Sequence, residues 1–302
     1  MKNLDIKKLS FEFKDNLKIN HDIKKKNWFN IGGKTKLFFK AENLIELKNF
    51  IKKIKGKEKI FVLGAGSNTL FTDGIFDGVV IKLSKNFNNI SKLSEEIIIA
   101  GSAVTDKALS DYAMENDLSG FEFLSCIPGT VGGGIKMNAG CYGSEFKDIL
   151  LSVQAIDKDG QIVTIPANKI LFEYRNNNLS NNLIFLSASF KGKKSNKVDI
   201  QSLMKKYKDQ KEVSQPTKIK TSGSTFKNPI TQTDKKVWEL IKQSVPLNTS
   251  FGDAKISDKH CNFFVNKGNA SFKEMNDLIN YVSHKVYQKT GIKLETEIKI
   301  IE

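Results

Sequence analysis

Two glycine-rich segments constrain this chain more than any other feature of its sequence. The first, Gly64-Ala65-Gly66-Ser67-Asn68, follows an apolar run at residues 60–63. The second extends from Pro128 to Gly143 and is too rich in glycine for a packed helix or strand, so we expect irregular backbone there. Glycine lets main-chain N–H groups approach a phosphate closely. Together the segments predict a site for a dinucleotide held across two small β-rich lobes.

Neither segment matches a common nucleotide-binding motif. The first lacks the third glycine of the Rossmann fingerprint, and Asp73-Gly74 and a second apolar run at 79–83 follow where that motif needs a helix. No GxxxxGK[ST] phosphate-binding loop occurs in the sequence. Alone, the first segment is equally compatible with a tight turn. The second contains few polar linker residues, which favours a ligand over a flexible loop.

Helix and strand patterns divide the chain into three parts. Helical spacing of apolar residues predicts helices over 43–56 and from Thr105, and Ser271 with Glu274 forms a capping box for a helix that ends at Gly291. Apolar or alternating runs predict strands at 60–63, 79–83, 97–100, 151–157, 161–165, 183–190 and 294–301. The polar stretch 191–196 is typical of a linker. We therefore expect an N-terminal surface segment (1–20), a two-lobed domain (21–195, with lobes 21–95 and 96–195) and a helix-rich C-terminal domain (196–302).

The net charge of +15 suggests a nucleic-acid partner, but the placement of the charges does not support one. The lysines are spread along the chain without a basic tail or a nucleic-acid-binding signature, which favours a solvated surface suited to small anions. Three cysteines outside CxxC spacing and three scattered histidines predict reduced thiols and no metal site. The apolar runs are too short for a membrane helix, and the first ten residues lack a secretory signal, so we expect a cytoplasmic protein.

Arginine usage is the second unusual feature. Of the 48 basic residues, Arg175 is the one arginine, and all the others are lysine. A guanidinium offers a planar fork of donors that fits a carboxylate, and lysine cannot imitate it. Composition alone leaves a functional Arg175 and a chance surface residue equally open.

Four motifs, taken in order, resemble the UDP-N-acetylenolpyruvoylglucosamine reductase (MurB) family. They are Gly64-Ala65-Gly66-Ser67-Asn68, Ile127-Pro128-Gly129-Thr130-Val131-Gly132-Gly133, Tyr174-Arg175-Asn176 and Ser222-Gly223-Ser224-Thr225-Phe226-Lys227-Asn228-Pro229. The resemblance extends from Asn27 to Ile301. It implies an α+β fold, with a two-lobed FAD-binding module of the PCMH/vanillyl-alcohol-oxidase type followed by a C-terminal α+β substrate-binding domain.

The resemblance also implies the chemistry. It implies reduction of an enolpyruvyl ether on a UDP-sugar by NADPH through non-covalent FAD, which gives UDP-N-acetylmuramate for peptidoglycan. Hydride delivered to the β-carbon of an α,β-unsaturated carboxylate leaves an enolate-like charge that must be stabilised. Arg175 matches the arginine that neutralises the carboxylate, and Ser224 matches the residue that protonates the α-carbon. Glu297 matches the C-terminal glutamate that holds the enolate or orients the substrate.

The remaining site residues are carried over from the same resemblance. The expected cofactor-binding residues are Gly64, Ala65, Gly66, Ser67, Asn68, Thr69, Gly101, Ile127, Pro128, Gly129, Thr130, Gly132, Gly133, Asn138 and Gly140. The expected substrate-binding residues are Tyr142, Tyr174, Lys227 and Asn228. The short stretch of chain from Arg175 to Ser224 implies the short form of the family, which lacks the inserted tyrosine-bearing loop. We also expect a monomer, although the sequence carries no signal for the oligomeric state.

Two alternatives remain open on the sequence. One is an FAD-dependent oxidase or dehydrogenase of the same superfamily; many such oxidases tether flavin through a histidine, and residues 22–259 contain none. The other is a basic, non-catalytic binding protein, which would leave both glycine-rich segments and Arg175 unexplained.

Overall fold

The computed structural model describes residues 4–216 and 219–302. The α-helices are α1 (Ile6–Glu12), α2 (Leu44–Ile54), α3 (Asp106–Glu115), α4 (Val131–Met137), α5 (Phe146–Ile149), α6 (Lys197–Ser214), α7 (Val237–Ser244) and α8 (Phe272–Thr290). Short 3-10 helices cover Lys24–Lys26, Lys85–Phe87, Glu122–Cys126 and Ala167–Lys169. The strands are β1 (Leu17–Asp22), β2 (Lys34–Ala41), β3 (Lys59–Val62), β4 (Thr69–Phe71), β5 (Ile75–Leu83), β6 (Ile90–Lys92), β7 (Ile97–Gly101), β8 (Leu118–Ser119), β9 (Gly140–Cys141), β10 (Ser144–Glu145), β11 (Leu150–Ile156), β12 (Ile162–Pro166), β13 (Phe172–Glu173), β14 (Asn176–Asn177), β15 (Ile184–Lys191), β16 (Lys193–Lys194), β17 (Ser250–Phe251), β18 (Ala254–Ile256), β19 (Phe264–Asn266) and β20 (Lys299–Ile301).

The chain forms two compact units that are interleaved in sequence. Unit 1 comprises residues 1–19, 37–65 and 78–210, and unit 2 comprises 20–36, 66–77 and 211–302. The domains predicted from the sequence are continuous segments defined by the ligand that each is expected to bind. A division by compactness does not test that definition, so the predicted limits at 20/21 and 195/196 stay a prediction. The first glycine-rich segment is divided after Ala65, with Gly66 to Asn68 in unit 2.

Unit 1 contains two hydrophobic cores. An antiparallel sheet of order β12-β11-β15-β7-β6 packs with α3 and α4 around Leu109, Val153 and Phe190. A second sheet, of order β1-β2-β5-β3, has β3 parallel to β5, and most of its residues belong to unit 1. Its core holds the stacked rings of Phe39 and Phe50, whose centroids are 3.8 Å apart.

The N-terminal segment is part of this second core. Leu9 of α1, Phe13 and Leu17 are each at most 7% exposed, and Phe13 packs edge-on against Phe39 at 5.6 Å. The expectation of a surface segment over 1–20 was therefore wrong for these three side chains, which bury in the core with β2 and α2, while Phe11 and Ile19 are exposed. Residues 1–3 lie outside the described part of the chain.

Unit 2 is built around α7 and α8. The sheet of order β17-β18-β19 and the parallel pair β4 and β20 surround a core that includes Phe226, Phe264 and Leu278. Helix α8 begins at the predicted capping box of Ser271 and Glu274 and ends at Gly291, which has φ of +72°. Its predicted apolar face is buried, so this prediction is confirmed.

The structure also confirms two predicted helices, α2 and α3, and the strands predicted at 60–63, 79–83, 97–100, 151–157, 161–165 and 183–190. Their bounds agree within a residue or two, except that β5 begins four residues earlier than predicted. Three predictions were wrong. The closing strand is limited to β20, and the predicted linker contains β16 and is followed at once by α6. The second glycine-rich segment contains α4, whose sequence is VGGGIKM.

Helix α4 forms despite its three glycines, each of which costs about 1 kcal/mol relative to alanine in a helix. Its backbone is packed too closely for side chains. A Cβ on Gly132 would lie 3.0 Å from the Ser102 Cβ, and one on Gly134 would overlap the Phe146 ring. Tertiary packing thus overrides the low helix propensity of the sequence.

Candidate active site

Main-chain carbonyls of the first glycine-rich loop accept hydrogen bonds within each of the two units. In unit 1, the Lys82 ammonium donates to the Gly64 carbonyl (2.6 Å), and a Cβ on Gly64 would lie 2.6 Å from the Thr130 Oγ1. In unit 2, Gly66 has φ of +71°, and its carbonyl accepts a bond from the Trp28 N–H (3.0 Å). Gly64 therefore lies beside the second glycine-rich segment, as the dinucleotide prediction requires of these two loops.

The second loop lies against α3 and the end of β7. The Gly129 carbonyl accepts from the Asp106 N–H (3.2 Å), and Thr130 forms an antiparallel bridge with Thr105. The N–H of Gly132 donates to the Ser102 carbonyl (3.0 Å). This ladder fixes the loop that leads into α4.

The predicted cofactor glycines divide into two kinds. Gly101, Gly129, Gly132 and Gly140 each lie against atoms of the chain itself, so any side chain there would meet protein first. Gly133 is exposed, and the nearest atom to an added Cβ is Thr130 Oγ1 at 3.6 Å. The first kind, which includes Gly64 because its Cβ would lie 2.6 Å from the Thr130 Oγ1, allows close packing of the loop, while Gly133 presents exposed backbone beside Thr130.

Asn138 is buried, and its side chain is bonded within the protein. It ends α4 with φ of +41°, and its Nδ2 donates to the Glu145 carboxylate and the Glu173 carbonyl, both at 3.0 Å. Its Oδ1 accepts from the Lys147 N–H (3.1 Å). These bonds favour a positioning role for Asn138 over direct contact with a ligand.

Asp106 is a buried carboxyl group that the sequence analysis did not single out. It lies at the start of α3 and is 0% exposed, and neither carboxyl oxygen has a hydrogen-bond partner in the structure. A Cβ on Gly129 would overlap its Oδ2. Burial raises the pKa of the Asp106 carboxyl well above its usual range, because the charged form loses its hydration there.

Arg175 lies at the tip of a tight hairpin in unit 1. The register of β13 and β14 pairs Glu173 with Asn176 and leaves Tyr174 and Arg175 as a two-residue loop. Arg175 has φ of +57°, a left-handed conformation that is unfavourable for a side chain of this size. Its Nη2 donates to the Gly140 carbonyl (2.6 Å), and its Nη1 lies 3.7 Å from the Glu145 Oε1.

The guanidinium is held in place from several directions. Its carbon lies 4.8 Å from the centre of the Tyr174 ring, and the side chain is 15% exposed. Tertiary contacts therefore orient this group and shield most of it from solvent. A long side chain on an open surface would not be fixed in this way, which favours a functional Arg175 over a chance surface residue.

Tyr142 stacks on a tyrosine that the sequence analysis missed. The rings of Tyr142 and Tyr207 are parallel within 5°, with centroids 4.3 Å apart, and the Tyr142 hydroxyl donates to the Tyr207 carbonyl (2.9 Å). Partial burial raises the pKa of Tyr142 to about 12, so it remains a neutral donor. No local sequence pattern indicates this pair, because Tyr207 belongs to the distant helix α6.

In unit 2, Ser224 and Glu297 lie on neighbouring segments. Ser224 forms an antiparallel bridge with Phe263, and Phe226 forms one with Thr296. The Glu297 N–H donates to the carbonyl of Thr225, the residue after Ser224 (2.8 Å). Asn68 joins this group, because its Nδ2 donates to the Glu297 carbonyl (3.1 Å).

Lysines surround this segment. The Lys227 N–H donates to the Glu295 carbonyl (2.9 Å), and its Nζ lies 3.4 Å from the Glu295 carboxylate. Burial, and then the charge of Lys227, lower the pKa of Lys299, while Glu297 opposes that shift. The sequence analysis missed Lys299, which it covered only as part of the predicted strand at 294–301.

Asn228 has a structural contact of its own. Its Oδ1 accepts from the Val237 N–H at the start of α7 (3.0 Å).

Among the described residues there is no cluster of three or more His, Cys, Asp or Glu side chains that could hold a metal ion. The helices of that part of the chain also include none that is long and apolar enough to cross a membrane.

Comparisons with known proteins agree with both halves of this description. Residues 35–166 match the family described as "FAD binding domain", and residues 215–301 match "UDP-N-acetylenolpyruvoylglucosamine reductase, C-terminal domain". A protein of Pelagibacter ubique named UDP-N-acetylenolpyruvoylglucosamine reductase is 63% identical over 99% of both chains. A protein of the same name from Rickettsia bellii is 44% identical over 93% of this chain and 92% of its own.

A solved structure is also similar. The crystal structure of UDP-N-acetylenolpyruvylglucosamine reductase (MurB) from Thermus caldophilus matches with a TM-score of 0.82 and 28% identity, over 95% of this chain and all of that one. The match covers both compact units, and it confirms the predicted α+β class with an FAD-binding domain.

Proposed function

Because the chain belongs to the UDP-N-acetylenolpyruvoylglucosamine reductase family, we propose that Arg175, Ser224 and Glu297 carry the reduction of enolpyruvyl UDP-N-acetylglucosamine. The enzyme uses FAD and NADPH, and the product is a peptidoglycan precursor. One observation carries the assignment of residues. Ser224 and Glu297 are far apart in the sequence, and the bond from the Glu297 N–H to the Thr225 carbonyl brings their segments together.

The residues present fit FAD. Gly133 presents exposed backbone beside Thr130, and Gly64 packs closely on the same threonine, since its Cβ would lie 2.6 Å from the Thr130 Oγ1. Such a surface of main-chain N–H groups and a hydroxyl suits a diphosphate. We assign Gly64, Thr130 and Gly133 to cofactor contact, and Gly101, Gly129, Gly132, Gly140 and Asn138 to the packing that shapes the loop.

When bound, FAD would supply the hydride chemistry, with NADPH as the reductant and the enolpyruvyl β-carbon as the acceptor. The role proposed for Arg175 is to bind the substrate carboxylate and balance the negative charge that develops on it. The contacts with Gly140, Glu145 and Tyr174 hold the guanidinium in one orientation before substrate arrives. An oriented charge stabilises the developing enolate without the cost of reorganisation.

The role proposed for Ser224 is to give a proton to the α-carbon. Its O–H bond breaks as the new C–H bond forms, and water then returns a proton to the serine oxygen. A serine hydroxyl is a weak acid, so the cations on neighbouring residues, Lys227 and Lys299, assist by stabilising the oxygen as it loses its proton. Glu297 lies among the same cations, and its proposed role is to orient the substrate.

For the rest of the substrate, we assign Tyr142, Tyr174, Lys227 and Asn228 to the UDP-sugar. The stacked Tyr142 offers an aromatic surface, and Lys227 offers a positive charge for the diphosphate. The cytoplasm as the site of action is likewise a proposal, which rests on the use of NADPH, and so is a monomeric state. Sedimentation velocity of the purified enzyme tests the monomer.

The first experiment follows the flavin colour. The purified protein, supplied with FAD, should be yellow, should bleach with anaerobic NADPH and should regain its colour with enolpyruvyl UDP-N-acetylglucosamine. A protein that stays colourless with added FAD would support the basic binding-protein alternative. A flavoprotein that reacts with an alcohol substrate and oxygen but not with the enolpyruvyl ether would support the oxidase alternative.

Ser224→Ala separates the two half-reactions. We expect bleaching by NADPH at the normal rate and recolouring by substrate slowed by about 10²- to 10⁴-fold, the usual contribution of general acid catalysis. Ser257→Ala is the matched control, since Ser257 is a buried serine of the same unit whose hydroxyl accepts from the Lys259 N–H (3.2 Å). Equal slowing of both half-reactions in Ser224→Ala would refute the assignment.

A further inference from the structure

A buried asparagine that the sequence analysis did not identify bonds to the backbone next to Ser224. Asn262 is 3% exposed and lies immediately before Phe263, the bridge partner of Ser224. Its backbone carbonyl accepts a short bond from the Thr225 N–H (2.7 Å). Thr225, the residue that follows Ser224, is therefore fixed from this position.

The Asn262 side chain makes a two-point contact with Phe226. Its Oδ1 accepts from the Phe226 N–H (3.0 Å), and its Nδ2 donates to the Phe226 carbonyl (2.9 Å). An amide can pair with both backbone groups of one residue because it offers one donor and one acceptor side by side. Aspartate lacks the donor, and leucine lacks both groups.

Asn262 is itself held by its neighbours. Its N–H donates to the His260 Nδ1 (3.2 Å), and the His260 ring packs edge-on against Phe263 at 4.8 Å. Burial lowers the pKa of His260, so the ring stays neutral and Nδ1 can accept this bond. The turn from His260 to Phe263 is thus fixed by its own contacts, and it bonds to the segment that carries Ser224.

We propose that Asn262 is a positioning residue for the protonation step, because its two-point bond to Phe226 and its carbonyl bond to Thr225 set the place of the Ser224 hydroxyl. This inference rests on the proposed role of Ser224. Proton transfer demands hydrogen-bond reach between donor and acceptor, and a displacement of about 1 Å can slow an enzymatic step by about 100-fold.

Asn262→Asp is the principal test, since it keeps the size of the side chain and replaces the donor that faces the Phe226 carbonyl with an acceptor. We expect normal FAD content and normal bleaching by NADPH, with recolouring by substrate slowed about 10- to 100-fold. Asn262→Ser, which removes the two-point contact without burying a carboxylate, should show the same pattern. It keeps the test informative if the aspartate variant does not fold.

Asn266→Asp is the matched control. Asn266 is an equally buried asparagine of unit 2, and its side chain donates to the Phe29 carbonyl (2.8 Å) and accepts from the N–H groups of Gly268 and Ala270. The chemical change is the same, but these bonds do not reach Thr225 or Phe226. We expect both half-reactions of Asn266→Asp to keep their wild-type rates when the two proteins are assayed at the same interval below their melting temperatures.

The configuration of the product at its α-carbon gives a second readout, which a general loss of protein stability would not change. The proton arrives from one face when Ser224 supplies it, so the wild-type enzyme should give one diastereomer by NMR. If Asn262 positions that hydroxyl, Asn262→Asp should give a mixture as water competes. Recolouring in the double variant Ser224→Ala/Asn262→Asp should be no slower than in Ser224→Ala, because both changes act on one step.

The outcomes distinguish this inference from the proposed function. If Ser224→Ala recolours normally, the role of Ser224 itself is refuted. If Ser224→Ala is slow while the Asn262 variants recolour normally and give one diastereomer, only the positioning role is refuted. Slowing of both half-reactions by the Asn262 variants, or fully additive losses in the double variant, would also refute it.

Discussion

Replacement of Arg175 by lysine tests whether the chain needs the shape of the arginine or only its charge. The guanidinium donates to the Gly140 carbonyl (2.6 Å) through Nη2, faces Glu145 through Nη1 and stacks on Tyr174. A lysine ammonium can keep the charge and one of these contacts, but it has no planar fork that could also hold a carboxylate in a fixed orientation.

The magnitude follows from the bonds that lysine cannot replace. One hydrogen bond from a charged group contributes about 1.5 to 3 kcal/mol. With about 1.36 kcal/mol for each tenfold change in rate, losing one such bond to the substrate carboxylate slows the step that needs it by about 10- to 150-fold. The backbone gives no compensating change, because lysine and arginine experience the same strain at φ of +57°.

The assay is anaerobic stopped-flow absorbance of the two half-reactions. Bleaching of Arg175→Lys by NADPH should stay within about twofold of wild type, and recolouring by substrate should fall by the factor above. Lys147→Met is the matched control, because it removes a more exposed cation from the same Glu145 carboxylate (2.7 Å) and should leave both rates unchanged. Normal recolouring by Arg175→Lys would refute the argument, and so would an equal loss in Lys147→Met.

Three further predictions concern the glycine-rich segment, a buried acid and a helix cap. Gly134→Ala should lower the free energy of unfolding by about 1 to 3 kcal/mol, because the new methyl group overlaps the Phe146 ring. The adjacent Gly133→Ala should keep or raise the melting temperature but weaken FAD binding in a fluorescence titration. Equal melting temperatures of the two variants would contradict the packing argument. Asp106→Asn should raise the melting temperature at pH 7 to 8 more than at pH 4. The folded-state pKa of this carboxyl is raised above its ordinary 3.8, so the folded protein holds the proton and loses stability as the pH rises from that value toward the folded-state pKa; asparagine removes the loss, and a pH-independent difference would refute the assignment of the protonated form. Ser271→Ala should lower the free energy of unfolding by about 0.5 to 2 kcal/mol in denaturant titrations through loss of the capping box on α8, and an unchanged value would show that the cap contributes nothing.

Most helices and strands could be predicted from the sequence because their signals are local. The capping box at Ser271, the glycine that ends α8 and the apolar spacing of α2 all act within a few residues. Family membership, FAD and the reaction class were also predicted correctly, since short motifs around the glycine-rich loops carry them. The individual site residues stay predictions that the variants above would test.

The sequence by itself determined where turns and caps fall, and which motifs place the chain in its family. Only the tertiary structure decided that α4 forms in a glycine-rich segment, since its glycines pack against Ser102 and Phe146. The same holds for the burial of Leu9 in α1, the raised pKa of Asp106 and the bonds from Asn262 to Phe226. These features depend on contacts between residues far apart in the chain, where local propensity gives no signal and burial, close packing and hydrogen-bond satisfaction determine the outcome.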